Sequence, residues 1–521
     1  MTGNARFDVV LVGAGPAGCV LASRLTEDPG RTVALLEAGP DYGPDPDAWP
    51  AELRNATWIW PDSHPWGYLH AGRPADRPLP LPRARVVGGS SAINACAWLR
   101  GSAADYDEWG ALGNPGWGWA DLLPSFRRAE ADPLGGPLHG SDGPVPVFRL
   151  AEADLSPVDR ALVAAAEVLG FPRVADFNGA PAQRPGVGPM PKNVAGGVRM
   201  NGAFTYLAPA RSRPNLTLIP DTLVDRVCVE DGHAVGVRTA DGREVRGREV
   251  VLCAGAYGSP AVLLRSGIGP AADLRGLGIP VALDRPGVGA HLLDHPLLGF
   301  VNGMTAGAYA YAIKTDRAPA ALALFPTLIK ARSRRAAAEI DLHVYHACFP
   351  DAERGRWALL LLLSLQFATS RGRVRLTSPD PAAMLDIDHG HLADPADLEA
   401  ACDGIELVAR LVAAEPLVAL VDPVPGQVPD WRERDGLRAW VREHARTTYH
   451  PSSTCRMGPA ADPGAVVDHE GRVHGIAGLR VADAAIFPTG PRANLHCTVV
   501  AVAEKLADAI RCDDAPHHPL A

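Results

Sequence analysis

Near its start the chain carries a short β-branched run, Phe7-Asp8-Val9-Val10-Leu11-Val12, then a glycine turn, then residues 17–26 with the composition of a helix. Residues 31–37 form a second run, with Val33, Leu35 and Leu36 apolar. This pattern predicts a strand–helix–strand unit. Residues 39–82, rich in Pro, Gly, Asp and Trp, carry no periodicity and predict an irregular segment too long for an ordinary connection. Alternating apolar positions over 216–252, broken at Asp231-Gly232 and Asp241-Gly242, predict a small antiparallel meander. From 296 to 440 the character changes, with apolar strands at 340–346 and 356–367 followed by a helix from 395 to about 415. A last helix is predicted over 498–510, and the tail 511–521, with His517-His518, is expected to fray.

The longest apolar run, 358–365, is about half a membrane span and reads as a buried strand. The N-terminal residues show no secretory pattern, so the expectation is a cytoplasmic protein with no integral membrane segment. A length of 521 residues suggests two domains, and 47% hydrophobic with 21% charged residues suits a globular chain. The net charge of −9 argues against a nucleic-acid partner. The strongest local basic patch, Arg332-Ser333-Arg334-Arg335, reads as a solvated surface loop. Nine cysteines, none in a CxxC pair, offer no zinc, iron–sulfur or dithiol site, so no metal is expected.

Gly13-Ala14-Gly15-Pro16-Ala17-Gly18 falls between the first strand and the helix, where a GxGxxG turn has a physical purpose. Gly13 permits the tight turn, Gly15 lets the backbone approach a pyrophosphate, and Gly18 allows close packing of helix on strand. The helix N-terminus offers unpaired N–H groups to phosphate. Glu37, at the end of the second strand, is placed to accept from a ribose hydroxyl. An acidic residue there favours FAD or NAD over a 2′-phosphorylated cofactor.

Two further segments resemble the signatures of the glucose–methanol–choline (GMC) oxidoreductases. The first is Ala84-Arg85-Val86-Val87-Gly88-Gly89-Ser90-Ser91-Ala92-Ile93-Asn94, with Trp98, Gly101 and Asp107 beyond it. The second runs Gly255-Ala256-Tyr257-Gly258-Ser259-Pro260 through Gly269. Tyr449-His450-Pro451-Ser452-Ser453-Thr454-Cys455-Arg456-Met457-Gly458 and the run from Val481 through Asp483-Ala484 to Pro488 are also similar to that family. The resemblance spans essentially the whole chain and is strongest to the hydroxymethylfurfural oxidase and choline dehydrogenase branches.

The resemblance implies an α/β architecture: a Rossmann-like FAD-binding domain (1–155, 205–295, 441–521) and a discontinuous α+β substrate domain (156–204, 296–440) carrying an antiparallel sheet. It implies FAD contacts from Gly13, Gly15, Pro16, Ala17, Gly18, Glu37 and Ala38, and from Arg85, Val87, Gly88, Gly89, Ser90, Asn94 and Ala95. Val227 is expected to hold the adenine through its backbone, with Ala254 and Gly255 lining the same pocket. Asp483, Ala484, His496 and Thr498 complete the set. Some members attach FAD through a histidine at the position of Ile93, so here FAD is expected to be noncovalent.

The resemblance further places a histidine pair opposite the flavin: His450, and His496 where the nearest branches carry asparagine. A neutral imidazole can take the hydroxyl proton as hydride leaves an alcohol carbon. His450 is read as the base, His496 as the partner of the alcohol oxygen, with the roles open to exchange and the two imidazoles expected to titrate together. His295, in Asp294-His295-Pro296, reads as structural. The implied activity is oxidation of a small-molecule alcohol, with oxygen or another electron acceptor. Tyr309, Tyr311 and Phe349 point to an apolar or aromatic substrate. A redox-silent lyase on the same fold, of the hydroxynitrile lyase kind, stays open, as does a flavin-binding scaffold. A light-driven decarboxylase is a weaker alternative, its reactive cysteine and arginine having no evident counterpart.

Overall fold

A computed structural model describes residues 6–59, 61–71, 78–180, 184–305, 324–336, 338–351, 356–423 and 430–513. Tyr309, Tyr311 and His517-His518 lie outside these residues. The molecule is built on two seven-stranded sheets. In the first, strands Leu216–Ile219, Val33–Leu36, Arg6–Val12 and Glu244–Leu252 run parallel, and Leu479–Val481 adds a parallel partner to the last. Val9 to Val12 are buried because neighbours and helices cover both faces, which is why this run is apolar without alternation.

The expected meander is corrected in one respect. Val224–Glu230, His233–Thr239 and Glu244–Leu252 do pair antiparallel, but Leu216–Ile219 leaves them to pair parallel with Val33–Leu36. The register runs from Val33 with Leu216 to Leu36 with Ile219, which makes the half-buried Leu216–Ile219 an edge strand beside the fully buried Val33–Leu36.

Helix Pro16–Leu25 begins with proline, whose missing N–H is one the first turn could not have used. No side chain caps this end. The helix packs against the C-terminal helix Leu495–Asp513, which starts earlier than the pattern predicted, and Arg24 forks onto the buried Glu504 carboxylate at 2.8–3.1 Å.

The second sheet is antiparallel, in the order Val421–Pro423, Pro296–Met304, Arg356–Leu365, Leu342–Asp351, Leu324–Ala331, Gly186–Pro189, with Arg446–Thr447 as a seventh strand also paired to Pro296–Met304. The apolar run of Arg356–Leu365 serves both of its faces. Leu359, Leu361, Leu363 and Leu365 pack under helices Pro157–Val168 and Pro395–Ala413, while Leu360 and Leu362 join Ala97, Met190, Leu297, Phe325 and Tyr345 on the other side. That second face roofs the cavity described below. Two of the three arginines of the basic patch are ion-paired: Arg334 with Glu406 and Asp403, and Arg335 with Asp397 at 2.6 Å. Among the described residues no helix is long and apolar enough to cross a membrane.

Candidate active site

The turn after the first strand lies at the carboxyl ends of the parallel strands, and glycine is required there by contact distances. Gly13 has φ +101°, and a Cβ on it would sit 2.7 Å from the Cys253 carbonyl oxygen. A Cβ on Gly18 would sit 1.9 Å from the Gly13 carbonyl oxygen, so helix and turn touch through backbone. A second turn, 88–91, closes on the first: Gly88 N–H donates to the Ala14 carbonyl at 2.7 Å. Glu37 is buried beneath, its two carboxylate oxygens accepting from Ala14 N–H and Gly39 N–H at 2.9 Å each. Burial pushes its carboxyl up to about 7 against those donors.

A cavity of about 420 Å³ runs from this turn to the roof formed by the second sheet. Of the residues expected to hold the cofactor, Gly13, Gly15, Pro16, Ala17, Glu37 and Ala38 line its first part. Arg85, Gly89, Ser90, Asn94 and Ala95 line a wall, and Ala254, Gly255, Asp483, Ala484 and His496 another. The cradle fits a dinucleotide: its glycines bring bare backbone to the cavity wall, and a Cβ on Gly255, φ +80°, would find nothing within 4 Å. Asp483 holds that wall, accepting from Gly255 N–H at 2.8 Å, Ser259 Oγ at 2.6 Å and Ala485 N–H at 2.8 Å.

Five expected residues are not among those lining the cavity. Three of them act from behind: Gly18 packs the helix on the first turn, Gly88 hydrogen-bonds the second turn to the first, and Val87 N–H donates to the Pro40 carbonyl at 3.0 Å. Val227 N–H is taken by Ser266 Oγ at 2.8 Å, and Thr222, Leu223 and Val224 face the cavity instead. Thr498 is fully buried with its hydroxyl 2.8 Å from Tyr106 Oη, and Val499 takes its place at the cavity. Phe349 does not line the cavity either; its aromatic side chains include Phe325 and Tyr345.

His450 and His496 both line the cavity. His496 Nδ1 faces Asn94 Nδ2 at 3.4 Å, and its ring meets the edge of buried Trp98 with centroids 5.4 Å apart. The Asn94 amide is oriented by its other end, since Oδ1 accepts from Cys96 N–H at 3.0 Å. Nδ2 can then only donate to His496 Nδ1, which leaves the proton of a neutral ring on Nε2. Trp98 is itself held through Nε1–H to Glu130 at 2.8 Å, and Glu130 pairs with buried Arg100.

The expectation that His450 titrates with His496 is corrected. The imidazole in contact with His450 is His295, Nδ1 to Nδ1 at 2.9 Å with rings edge-on, so the residue read as structural touches the proposed base. Asn494, which the sequence did not single out, brings Nδ2 to 3.2 Å from His450 Nε2. Asp294 fixes the backbone, accepting His450 N–H at 2.8 Å. Enclosure lowers His496 and His295 to about 4. It also holds His450 well below the ordinary value, with His295 adding to the effect. All three rings are therefore neutral at pH 7.

The GMC oxidoreductase family models match residues 7–297 and 368–503. An oxygen-dependent choline dehydrogenase of Burkholderia pseudomallei is 36% identical over 566 residues, covering 99% of this chain and 94% of its own. Among solved structures, pyridoxine 4-oxidase from Mesorbium loti superposes with a TM-score of 0.86 at 32% identity, over 97% of this chain and 99% of that one. An Aspergillus oryzae RIB40 formate oxidase variant, described for its FAD modification, gives 0.87 at 26% identity over 99% of both chains. The parallel sheet with its glycine turn, the antiparallel roof and the cavity between them belong to an FAD-dependent oxidoreductase of the GMC family.

Proposed function

We propose that this enzyme oxidises the CH–OH group of a neutral, apolar primary alcohol to a carbonyl, with FAD bound noncovalently as the hydride acceptor. The observation that carries this reading is that one cavity joins the dinucleotide turn to His450, Asn494 and His496. FAD supplies the two-electron acceptor; the chain supplies binding, orientation and proton handling. Gly13 and Gly15 would admit the pyrophosphate at the helix N-terminus, Glu37 would accept from the ribose, and the stretch Thr222–Val224 would back the adenosine. Ile93 lines the cavity with a side chain that has no nucleophilic atom, which supports noncovalent binding.

His450 acts as the base: neutral, with Nε2 facing a donor across the cavity wall, it takes the hydroxyl proton as hydride leaves the carbon. His496 presents Nε2–H and donates to the alcohol oxygen, stabilising negative charge as it develops. One ring accepts and the other donates, so the two roles are distinct.

The substrate class follows from the roof. Ala97, Met190, Leu297, Phe325 and Leu362 make it apolar. Among the described residues the cavity's only carboxylates are Glu37 and Asp483, both held by backbone N–H groups of the nucleotide cradle. A quaternary ammonium would call for a free carboxylate beside the aromatic rings Phe325, Tyr345 and Tyr449 that line the cavity. The relatives named choline dehydrogenase therefore share the chemistry more than the substrate, and the likeness to a pyridoxine 4-oxidase suits an aromatic alcohol better.

The test is anaerobic mixing of the holoenzyme with benzyl alcohol, aliphatic primary alcohols and choline while following flavin absorbance. Bleaching by the neutral alcohols and not by choline is expected, and admitting air then separates oxidase from dehydrogenase. Bleaching by choline alone would overturn the substrate class, and His450→Ala with normal turnover would overturn the base. Acid precipitation should leave FAD in the supernatant; yellow colour in the pellet would contradict noncovalent binding.

A further inference from the structure

We infer that Tyr345, on the substrate sheet, is a positioning residue that sets the tautomer of His450 through Asn494. The inference rests on the reading of His450 as the base. Four groups stand in line. His343 Nδ1 lies 2.9 Å from Tyr345 Oη, Tyr345 O–H donates to Asn494 Oδ1 at 3.1 Å, and Asn494 Nδ2 lies 3.2 Å from His450 Nε2. Tyr345 is buried and His343 has no exposed surface, so the far end of this line is shielded from water, while Asn494 and His450 face the cavity.

The directions follow from what each atom can do. An amide oxygen only accepts and an amide NH₂ only donates. With the Tyr345 proton on Asn494 Oδ1, the amide must turn Nδ2–H toward His450 Nε2. That nitrogen is then an acceptor, and the proton of the neutral ring sits on Nδ1, donating to His295 Nδ1 at 2.9 Å. Asn494 Nδ2–H occupies the spot where a donor is wanted. The substrate hydroxyl replaces it there and meets a bare lone pair.

Without the phenol the amide is free to turn over. Asn494 Oδ1 would then face His450 Nε2 and favour a proton there, blocking the base. Burial raises the Tyr345 phenol far above its ordinary value, so it remains a donor throughout the working range. The ring is seated independently of the hydroxyl, edge-on to Phe325 with centroids 5.7 Å apart. Tyr345→Phe therefore keeps the packing and removes only the link.

The other charged or titratable groups facing His450 are Asp294 and His295 from the loop before strand Pro296–Met304, Arg83 from the irregular segment, and His343 from Leu342–Asp351. All of them persist in the variant. Tyr345→Phe is expected to lower kcat about tenfold, as loss of one buried hydrogen bond allows. KM for a neutral alcohol should be little changed. The acid limb of the kcat profile should move to higher pH by about one unit, because an acceptor now faces Nε2. Asn494→Asp should move the limb the same way, and adding Tyr345→Phe to it should move it no further. A raised KM with an unmoved limb would assign Tyr345 to substrate contact and overturn the inference.

A second measurement needs no variant and no turnover. In the unaltered holoenzyme, ¹⁵N imidazole shifts should show His450 protonated on Nδ1 and bare on Nε2. The opposite tautomer would overturn the inference even if alcohols bleach the flavin. The expected tautomer with no bleaching would instead place the failure in the proposed activity.

Discussion

Gly18→Ala tests whether contact between helix and turn is what positions the cofactor. The added Cβ would lie 1.9 Å from the Gly13 carbonyl oxygen and 3.1 Å from its carbon, where real Cβ contacts stay above 3.0 Å. More than 1 Å of separation must be created between helix Pro16–Leu25 and its own leading turn. Both obstructing atoms are backbone, so no rotamer change relieves the clash. Overpacking of this kind costs about 1–3 kcal/mol in the apoprotein. The larger effect falls on FAD, because the displaced atoms are the turn that meets the pyrophosphate. If FAD stands at about 100 times its Kd, losing that affinity removes a further 2.7 kcal/mol or so of stabilisation. Gly43→Ala is the control: φ is +84° with nothing within 4 Å of the Cβ position, so it carries only left-handed backbone strain. That costs roughly 1–2 kcal/mol. The assay is FAD titration by flavin fluorescence alongside thermal unfolding with and without FAD. Gly18→Ala should bind FAD at least a hundredfold more weakly while Gly43→Ala binds it normally. Equal FAD affinity in the two variants would refute the argument that the contact places the site.

Glu37→Gln should weaken FAD binding by about tenfold to a hundredfold, since the amide sets an NH₂ against one of the backbone N–H groups the carboxylate now accepts from; an unchanged Kd would remove Glu37 from the ribose site. On acidification the apoprotein should lose stability between about pH 6.5 and 4. His295, 4% exposed and lowered to about 4, refuses a proton that the unfolded chain accepts. This one group accounts for about 3 kcal/mol, fully present above pH 6.5 and gone below pH 4; His295→Asn should flatten that part of the denaturation-versus-pH curve, and an unaltered slope would contradict the assignment. Glu130→Gln should destabilise the protein by about 3–5 kcal/mol by unpairing buried Arg100. Because Glu130 also holds Trp98 against His496, kcat should fall in the surviving enzyme, and a normal kcat would separate this network from catalysis.

The features legible in the sequence are those where backbone must touch backbone or a cofactor. Gly13, Gly18 and Gly89 advertise themselves because a Cβ would strike backbone at 2.7 Å or closer, and the leucine run of Arg356–Leu365 shows a strand covered on both faces. Misplacements came from register. Val227 and Val224 lie on one strand, and only the ladder with His233–Thr239 and the bond to Ser266 decide which faces the cavity. The last helix begins at Leu495, so Thr498 lies well inside it and turns toward Tyr106 while Val499 turns to the cavity. Asn494 stood two residues from His496 and could have been weighed with it. Tyr345 and His343 could not, because they reach His450 only across the junction of two sheets, about 100 residues away in sequence, and each looks like ordinary strand core.

The measurement that bears most directly on the proposed activity is stopped-flow reduction of the bound flavin under anaerobic conditions, by benzyl alcohol and by its α,α-dideuterated form. The account predicts bleaching by both, several-fold slower with deuterium, because the C–H bond breaks as the flavin is reduced. No bleaching by any neutral alcohol, in a protein whose flavin dithionite still reduces, would contradict it.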